Sequence, residues 1–147
     1  MKLNTCSQII SLAKKFENES AKFYEEMSRR YTKDADVLLS FAKENGKNIV
    51  QIERAYYEVI SDALEGCFAF NVGPDDYTFK TELQDKASYP DALGKAIEME
   101  EKIIKFYSDA AEQSKSLMAD VPRNFVIVAK KRSNRIPKLI SLAEKEG

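Results

Sequence analysis

The chain carries the stretch Lys15-Phe-Glu-Asn-Glu-Ser-Ala-Lys-Phe-Tyr24, and a related stretch, Glu98-Met-Glu-Glu-Lys-Ile-Ile-Lys-Phe-Tyr107, follows 83 residues later. In both stretches a glutamate stands seven residues before the tyrosine of a Lys-Phe-Tyr triplet. Seven residues make about two turns of an α-helix, so the glutamate and the tyrosine share one helix face. The repeat therefore predicts two related helices, each with a carboxylate, Glu17 or Glu100, near its centre.

The composition is that of one helical domain. The chain has 147 residues, enough to bury a single sizeable core, and we expect one domain over residues 1–147. Only 5 glycines and 4 prolines are present, which favours long helices over a β fold rich in turns. The 23 basic residues almost cancel the 24 acidic ones, so binding to nucleic acid is not expected. Histidine is absent, which excludes serine-histidine and cysteine-histidine catalysis and removes the commonest metal ligand.

Cysteine usage and hydropathy predict the cellular localisation of the protein. Cys6 and Cys67 lack the spacing of a metal motif, and we expect both to be reduced and structural. Both are predicted at the same end of the first pair of helices, so a disulfide between them is the alternative. No segment is apolar for long enough to span a membrane, and residues 1–16 contain no apolar run of a secretion signal. We therefore expect a soluble, cytoplasmic protein with no membrane partner.

Hydrophobic residues spaced by three and four predict four helices. Their approximate bounds are 6–31, 34–64, 89–115 and 121–145, and the residues predicted to cap them are Asn4 or Thr5, Thr32 or Asp34, Ser88, and Asp120. Residues 65–88 form a long connection that contains the turn sequence Gly73-Pro-Asp-Asp76. A connection of this length fits a bundle in which the chain crosses back along the length of a helix. Pro137 is expected to kink the fourth helix, because proline cannot donate to the Ser133 carbonyl.

A second repeat relates the remaining two helices. The segment Phe41–Ile49 aligns with Val128–Ile136, so that two asparagines of the second helix correspond to two arginines of the fourth. The chain is thus two related helical hairpins. The singled-out residues all lie near the middle of their helices, so we expect them to meet at the centre of the bundle. These residues are Glu17, Asn45, Asn48, Glu100, Arg132 and Arg135.

This arrangement resembles the ferritin-like superfamily, and most closely its rubrerythrin-like members, over nearly the whole chain. In that superfamily two helices each give one glutamate and the other two each give Glu-x-x-His, which together hold a di-iron centre. Glu17 and Glu100 match the single glutamates, and Tyr24 and Tyr107 match aromatic residues that usually follow them. The resemblance implies an all-α, ferritin-like four-helix bundle, with two hairpins joined by a crossover between helices 2 and 3.

The other half of the site departs from the pattern of the family. Asn45-Gly-Lys-Asn48 stands where the first Glu-x-x-His would be, and Arg132-Ser-Asn-Arg135 stands where the second would be. Arginine cannot lose its proton to become a ligand, and two arginines repel a cation. We therefore expect no bound metal or cofactor, and a buried cluster of glutamate and arginine in place of the di-iron centre. The alternative is that the arginines extend to the surface and leave the glutamates half solvated.

The function expected from these residues is that of a metal-free, non-catalytic protein of ferritin-like ancestry with a structural, regulatory or partner-binding role. The resemblance also suggests a homodimer. Aromatic residues of the crossover are the expected contact surface for a protein partner, although covering the bundle would explain them equally well. These residues are Phe68, Phe70, Tyr77 and Phe79.

Two alternatives follow from the same residues. One is a rubrerythrin-like oxidoreductase with a carboxylate-only site for iron or manganese. Its candidate ligands are Glu17 and Glu100, with Glu19, Glu98 or Glu101. The other is a protein that binds a small anion or ligand in the former metal cavity, with Arg132 and Arg135 as recognition groups. Gly46 and Pro137 would loosen the backbone beside that cavity.

Overall fold

The computed structural model describes residues 2–61, 70–115 and 120–146, and these residues form a bundle of α-helices. The helices are α1 (Cys6–Arg30), α2 (Ala35–Ser61), α3 (Tyr89–Gln113), α4 (Asp120–Ser133) and α5 (Arg135–Glu146). Short 3₁₀ helices cover Thr32–Asp34 and Pro74–Tyr77. Outside the helices, Leu3 and Val72 form an isolated β-bridge. The prediction of an all-α bundle is confirmed.

A capping box closes the N-terminus of α1. The hydroxyl of Thr5 accepts a hydrogen bond from the backbone N–H of Gln8 at 3.2 Å, and the Gln8 side chain accepts one from the Thr5 N–H at 3.2 Å. These bonds satisfy donors that the first turn of a helix leaves without partners. Of the two predicted caps, Asn4 and Thr5, it is Thr5 that holds the position.

α1 and α2 run antiparallel and are joined by the first short 3₁₀ helix. Contacts pair early residues of α1 with late residues of α2, because Lys14 lies 3.4 Å from Glu53 and Ser20 lies 3.1 Å from Asn45. The predicted end of α2 near Leu64 lies outside the described residues.

α3 also runs antiparallel to α1. Phe106 packs edge-on against Phe16, with ring centroids 5.2 Å apart, and the side chain of Tyr24 lies 2.5 Å from that of Glu100. Because α2 and α3 both oppose α1, they point the same way, and the segment between them has to travel back along the bundle. α4 and α5 return along α3, and α4 also packs against α2. The chain thus forms two antiparallel hairpins, α1 with α2 and α3 with α4 and α5.

The described part of the crossover lies over the bundle with its aromatic side chains turned inward. Phe70 and Tyr77 are buried, and the ring of Phe79 packs 5.5 Å from that of Phe16. The Tyr77 hydroxyl donates a hydrogen bond of 2.6 Å to Asp109 of α3. Of the two roles expected for these aromatic residues, partner contact and cover for the bundle, the structure shows the second.

The fourth predicted helix is interrupted at Asn134, which separates α4 from α5. Pro137 lies four residues after Ser133, so in a continuous helix its ring would meet the Ser133 carbonyl and it would have no N–H to donate. The Ser133 hydroxyl also donates to the Ala129 carbonyl at 2.9 Å, a bond that often bends helices. The expected kink is therefore a break, and it falls between the two arginines of the predicted site.

The remaining expectations concern the cysteines and the membrane. Cys6 is buried at the start of α1. Cys67 and Phe68 lie outside the described residues, so the redox state of the cysteines stays a prediction. Among the described helices, none is both long and apolar enough to cross a membrane.

Ser88→Ala tests the cap of α3. The Ser88 hydroxyl accepts from the Asp91 N–H at 3.2 Å, and the Asp91 carboxylate accepts from the Ser88 N–H at 3.4 Å. Loss of the cap should lower the free energy of unfolding by about 1 kcal/mol, measured as a lower urea midpoint with an unchanged m-value. Ser108→Ala, on the exposed face of α3, is the matched control and should change that free energy by no more than about 0.5 kcal/mol. An equal loss in both variants would contradict the capping role of Ser88.

Candidate functional site

The structure brings the six predicted side chains together at one level of the bundle, with the two tyrosines beside them. Each of the eight residues is at most 2% exposed. They are Glu17 and Tyr24 of α1, Asn45 and Asn48 of α2, Glu100 and Tyr107 of α3, Arg132 of α4, and Arg135 of α5. We call these eight side chains the central cluster.

Arg132 lies between the two carboxylates of the cluster. Its Nε donates to Oε2 of Glu17 at 2.9 Å, and its Nη1 donates to Oε1 of Glu100 at 2.6 Å. The third nitrogen, Nη2, donates to Oδ1 of Asn45 at 3.1 Å. One cation thus bridges two anions where water is excluded, and all three of its nitrogens have partners.

Arg135 binds the second oxygen of Glu100 and the backbone of α2. Its Nη1 donates to Oε2 of Glu100 at 3.1 Å, and its Nη2 donates to Oδ1 of Asn45 at 2.7 Å and to the Phe41 carbonyl at 3.1 Å. Its guanidinium also lies over the rings of Phe41 and Tyr24, 5.0 and 5.6 Å from their centroids, within the range of a cation–π contact. Neither arginine extends to the surface, in contrast to the alternative in which they leave the glutamates half solvated.

The tyrosines bind across the bundle. Tyr24 of α1 donates to Oε2 of Glu100 in α3 at 2.5 Å, and Tyr107 of α3 donates to Oε2 of Glu17 in α1 at 2.7 Å. Each glutamate shares a helix face with the tyrosine that follows it, yet each hydroxyl binds the glutamate of the other helix. The two sequence repeats therefore make reciprocal contacts with each other.

The asparagines of α2 connect the charged groups to α1. Asn45 accepts from both arginines through Oδ1, and its Nδ2 donates to Oγ of Ser20 at 3.1 Å. Asn48 donates to Oε1 of Glu17 at 3.1 Å, while its own Oδ1 has no hydrogen-bond partner among the described residues. An amide is both donor and acceptor, so asparagine can bind a guanidinium on one side and a hydroxyl or carboxylate on the other.

Burial and neighbouring charges shift the pKa values of four side chains in the cluster: Glu100, Tyr24, Tyr107 and Arg132. Burial raises the pKa of Glu100, but the charges of its two arginine neighbours outweigh this effect, so that the pKa lies below its ordinary value of 4.5. Burial, and then the charge of the nearby glutamate, raises the pKa values of Tyr24 and Tyr107 well above 10.0. Burial alone would lower the pKa of Arg132. The charges of Glu100 and Glu17 raise it by more than burial lowers it, so the pKa lies above its ordinary value. At neutral pH Glu100 is ionised, both tyrosines are neutral and Arg132 is charged.

Glu44 adds a negative charge at the rim of the cluster. It accepts from Nε and Nη2 of Arg135 at 3.2 and 2.9 Å. The two buried glutamates and two buried arginines have a net charge of zero, as their side-chain types predict. The Glu44 side chain is 36% exposed, so solvent screens its charge. The four buried charged side chains therefore neutralise one another without Glu44.

Sequence reasoning missed three contributors to this network. Ser20 lies three residues after Glu17 and four before Tyr24, so helical spacing could have found it. Phe41 lies four residues before Asn45, so helical spacing places both on one side of α2, but a sequence does not show that the Phe41 carbonyl accepts a hydrogen bond. Glu44 directly precedes Asn45 and is only partly buried, so hydrophobic spacing gives no signal for it.

The further carboxylates considered for an oxygen-only metal site lie apart from the cluster. Glu98 and Glu101 are exposed, and Glu19 is partly exposed in an ion pair with Lys15 at 4.0 Å. In the described part of the chain, no three cysteine or acidic side chains are grouped so that they could hold a metal ion. Both oxygens of each cluster glutamate already accept hydrogen bonds. The side chains present do not fit a di-metal centre, because the Arg132 guanidinium stands between the carboxylates that would bind the ions.

No known protein family, curated protein or solved structure matches this chain. What the cluster can do chemically follows from its own geometry. Its charged groups bind one another. The arrangement is suited to holding the helices together, because its charged side chains bind partners on other helices.

Arg132→Ala leaves two buried carboxylates without their shared cation. Because breaking a buried ion pair costs roughly 3–5 kcal/mol, we expect the free energy of unfolding to fall by about that amount in urea titrations. Lys130→Ala, on the exposed side of the same helix, should change it by no more than about 0.5 kcal/mol. Arg132→Lys should recover little, since an ammonium group lacks the planar fork that binds both carboxylates. A loss below about 1 kcal/mol in Arg132→Ala would contradict the bridging role.

Stability should also depend on the ionisation of Glu100. Its pKa is lower in the folded protein than its ordinary value of 4.5, so the resulting stabilisation is present above pH 4.5 and is lost as the pH falls through the folded-state pKa. Glu100→Gln should be less stable than the parent at neutral pH, and its stability should fall less steeply below pH 4.5, as measured by urea unfolding over a pH series. Glu98→Gln, on the exposed face of α3, should keep the pH dependence of the parent. If Glu100→Gln kept it as well, another group would have to cause the acid sensitivity.

Proposed function

We propose that this protein is a ferritin-like, rubrerythrin-like helical bundle that works without a metal, as a structural, regulatory or partner-binding protein. In this proposal the central cluster replaces the di-iron centre of the superfamily. The order of the helices supports it, because two antiparallel hairpins joined by one long crossover occur in ferritin-like bundles. The position of the cluster supports it as well, since its glutamates, asparagines and arginines stand at the sequence positions aligned with the iron ligands.

The observation that carries the proposal is the bridge made by Arg132. Its guanidinium binds Glu17 at 2.9 Å and Glu100 at 2.6 Å, in the space where a metal ion would have to bind both carboxylates. Arginine cannot lose its proton to become a ligand, and its charge repels a cation. A metal could enter only by displacing a buried guanidinium whose three nitrogens are all bonded.

The protonation states of the cluster support a non-catalytic role. General acid–base catalysis works best when a pKa lies near the working pH. The pKa of Glu100 lies below its ordinary value because its arginine neighbours outweigh burial, whereas burial raises the pKa values of Tyr24 and Tyr107 well above theirs. Each of these shifts moves the group away from neutral pH, so none of the three is prepared to exchange a proton there.

The metal content of the purified protein tests the proposal. Protein prepared without chelator, then incubated with iron(II) or manganese(II) in the absence of oxygen and desalted, should contain far less than one metal ion per chain by elemental analysis. Neither metal should raise the thermal unfolding midpoint, because only a ligand that binds the folded state stabilises it. Stoichiometric iron or manganese in the parent protein would contradict the proposal.

A variant with the ligands of the family restored is the matched control. It carries Asn45→Glu, Asn48→His, Arg132→Glu and Arg135→His. Its carboxylates and imidazoles should bind iron or manganese, and its unfolding midpoint should rise when metal is added. If this variant folds and still binds no metal, the alignment of the central cluster with the di-iron site is wrong.

A further inference from the structure

The surface that α2 shares with α4 and α5 is rich in basic side chains. Residues 121–143 contain six bases and no acidic residue. Arg132 and Arg135 belong to the central cluster, whereas the other four bases of this segment are exposed or partly exposed. In α2 the fully exposed charged residues between positions 37 and 54 are basic as well. They are Lys43, Lys47 and Arg54.

Two contacts place these helices side by side. Gln51 of α2 binds Asn124 of α4, and Glu44 of α2 binds Arg135 of α5 at 2.9 Å. The later residue of α2 meets the earlier residue of the second hairpin, so α2 runs antiparallel to α4 and α5. The axes of packed helices lie about 8–10 Å apart. Side chains on the outer rims of this contact therefore line one shared surface.

Two rows of cations follow these rims. Lys47 lies between the two contact residues of α2, and Lys131 lies between the contact residues of α4 and α5, so both lysines are at nearly the same level of the bundle. Seven residues further on, about two helical turns, Arg54 continues the row of α2 and Lys138 continues the other row. We call Lys47, Arg54, Lys131 and Lys138 the basic face.

The cations of the basic face make no ion pair with any other side chain in the described part of the chain. The exposed sides of α1 and α3 differ, because Lys22 and Glu25 on α1 and Lys102 and Glu101 on α3 mix both signs. The near-zero net charge of the chain averages over these unlike sides. Like charges that lie side by side repel one another, so an anionic partner would stabilise the basic face.

We propose that the basic face binds the phosphate backbone of a double-stranded nucleic acid. Each row of the face is about 10 Å long, because seven residues of a helix rise by about that distance. A duplex carries one phosphate charge per roughly 1.7 Å of its axis, so several phosphates lie within reach of both rows. Asn134, exposed between Lys131 and Lys138, adds an amide, which is a group that binds phosphate and sugar oxygens.

The position of the exposed apolar side chains favours a nucleic acid over a lipid surface or an acidic protein. Val50 borders the row of α2 on the side toward α1, because it lies three residues before Glu53, which binds Lys14 of α1 at 3.4 Å. Val126 of α4 lies on the side toward α3, where it lines a hollow together with Ala111. A helix that lies on a membrane buries apolar side chains there, and a protein interface has an apolar centre. The basic face has charge at its centre and its valines at the borders.

Fluorescence anisotropy of a labelled DNA duplex of mixed sequence, titrated with the full chain, measures this binding directly. If each cation of the basic face contacts one phosphate, the logarithm of the association constant should fall against the logarithm of salt concentration with a slope of about −3.6. Affinity should then fall about 150-fold between about 50 and 200 mM potassium chloride. The result is independent of the proposed absence of metal, because metal content is measured separately on the same protein.

Lys47→Gln combined with Lys131→Gln removes one cation from each row. The salt slope should halve to about −1.8, and the dissociation constant at low salt should rise at least about tenfold. Lys22→Gln combined with Lys102→Gln is the matched control, because it removes the same charge from exposed positions on α1 and α3. The control should keep the slope of the parent. A parent that does not bind the duplex at low salt would overturn the proposal, as would a control pair that weakens binding as much as the pair on the basic face.

Two competitors separate a nucleic acid from other polyanions. Poly-L-glutamate represents an acidic protein, and vesicles of equal parts phosphatidylcholine and phosphatidylserine represent an anionic membrane. At equal concentrations of negative charge, neither should displace the labelled duplex as well as unlabelled duplex does. If poly-L-glutamate competes equally well, the face binds acidic protein and the proposal is wrong. If the vesicles do so, the partner is a membrane surface and the proposal is wrong as well. Both double variants should keep the urea midpoint of the parent, since exposed substitutions change stability little.

Discussion

The bridge that Arg132 makes between Glu17 and Glu100 is the interaction on which the rest of the core depends. Two carboxylates with no cation between them would be costly to bury, so the bundle could not close around them in their ionised form. A guanidinium whose three nitrogens are all bonded also tolerates little displacement of its partners. Since those partners come from α1, α2 and α3, a slip of any one helix by a turn would leave a buried polar group unpaired. We infer that the bridge fixes the register of the helices, that is, which side chains of neighbouring helices lie at the same height in the bundle.

The two hairpins share the charges of the cluster unequally. The hairpin of α1 and α2 contributes one buried anion, Glu17, together with neutral amides, whereas the second hairpin contributes the anion Glu100 and two cations. Each hairpin alone therefore carries one uncompensated charge of opposite sign, and only their association brings the buried sum to zero. Tyr24 and Tyr107 strengthen the link in both directions, because each donates to the glutamate of the other hairpin. The hairpins should consequently fold as one cooperative unit, in which neither can bury its half of the cluster alone.

The parts of this structure that short-range spacing determines could be predicted from the sequence. Thr5 and Ser88 cap helices because a hydroxyl just before an apolar run satisfies the first turn, and the mid-helix position of the cluster follows from the repeats. The exchange of tyrosines between helices could not be predicted, because it depends on how far apart the two helices lie. The contact between Glu44 and Arg135 could not be predicted either. It forms only because packing places α5 close to the side of α2 that carries Glu44. The cover provided by the crossover is likewise a property of the packed bundle, since exposed and buried aromatic residues look alike in a loop sequence.

Gly46 lies inside α2, beside the asparagines of the central cluster. The sequence suggests that it loosens the helix beside the cluster, yet α2 continues through it without interruption. The helix is held there from the inside, because Asn45 and Asn48, on either side of the glycine, bind α1 and the arginines. These bonds offset the roughly 1 kcal/mol by which glycine is less favourable than alanine in a helix. The inner side thus tolerates a glycine without requiring one, and an added Cβ would meet nothing in the described chain.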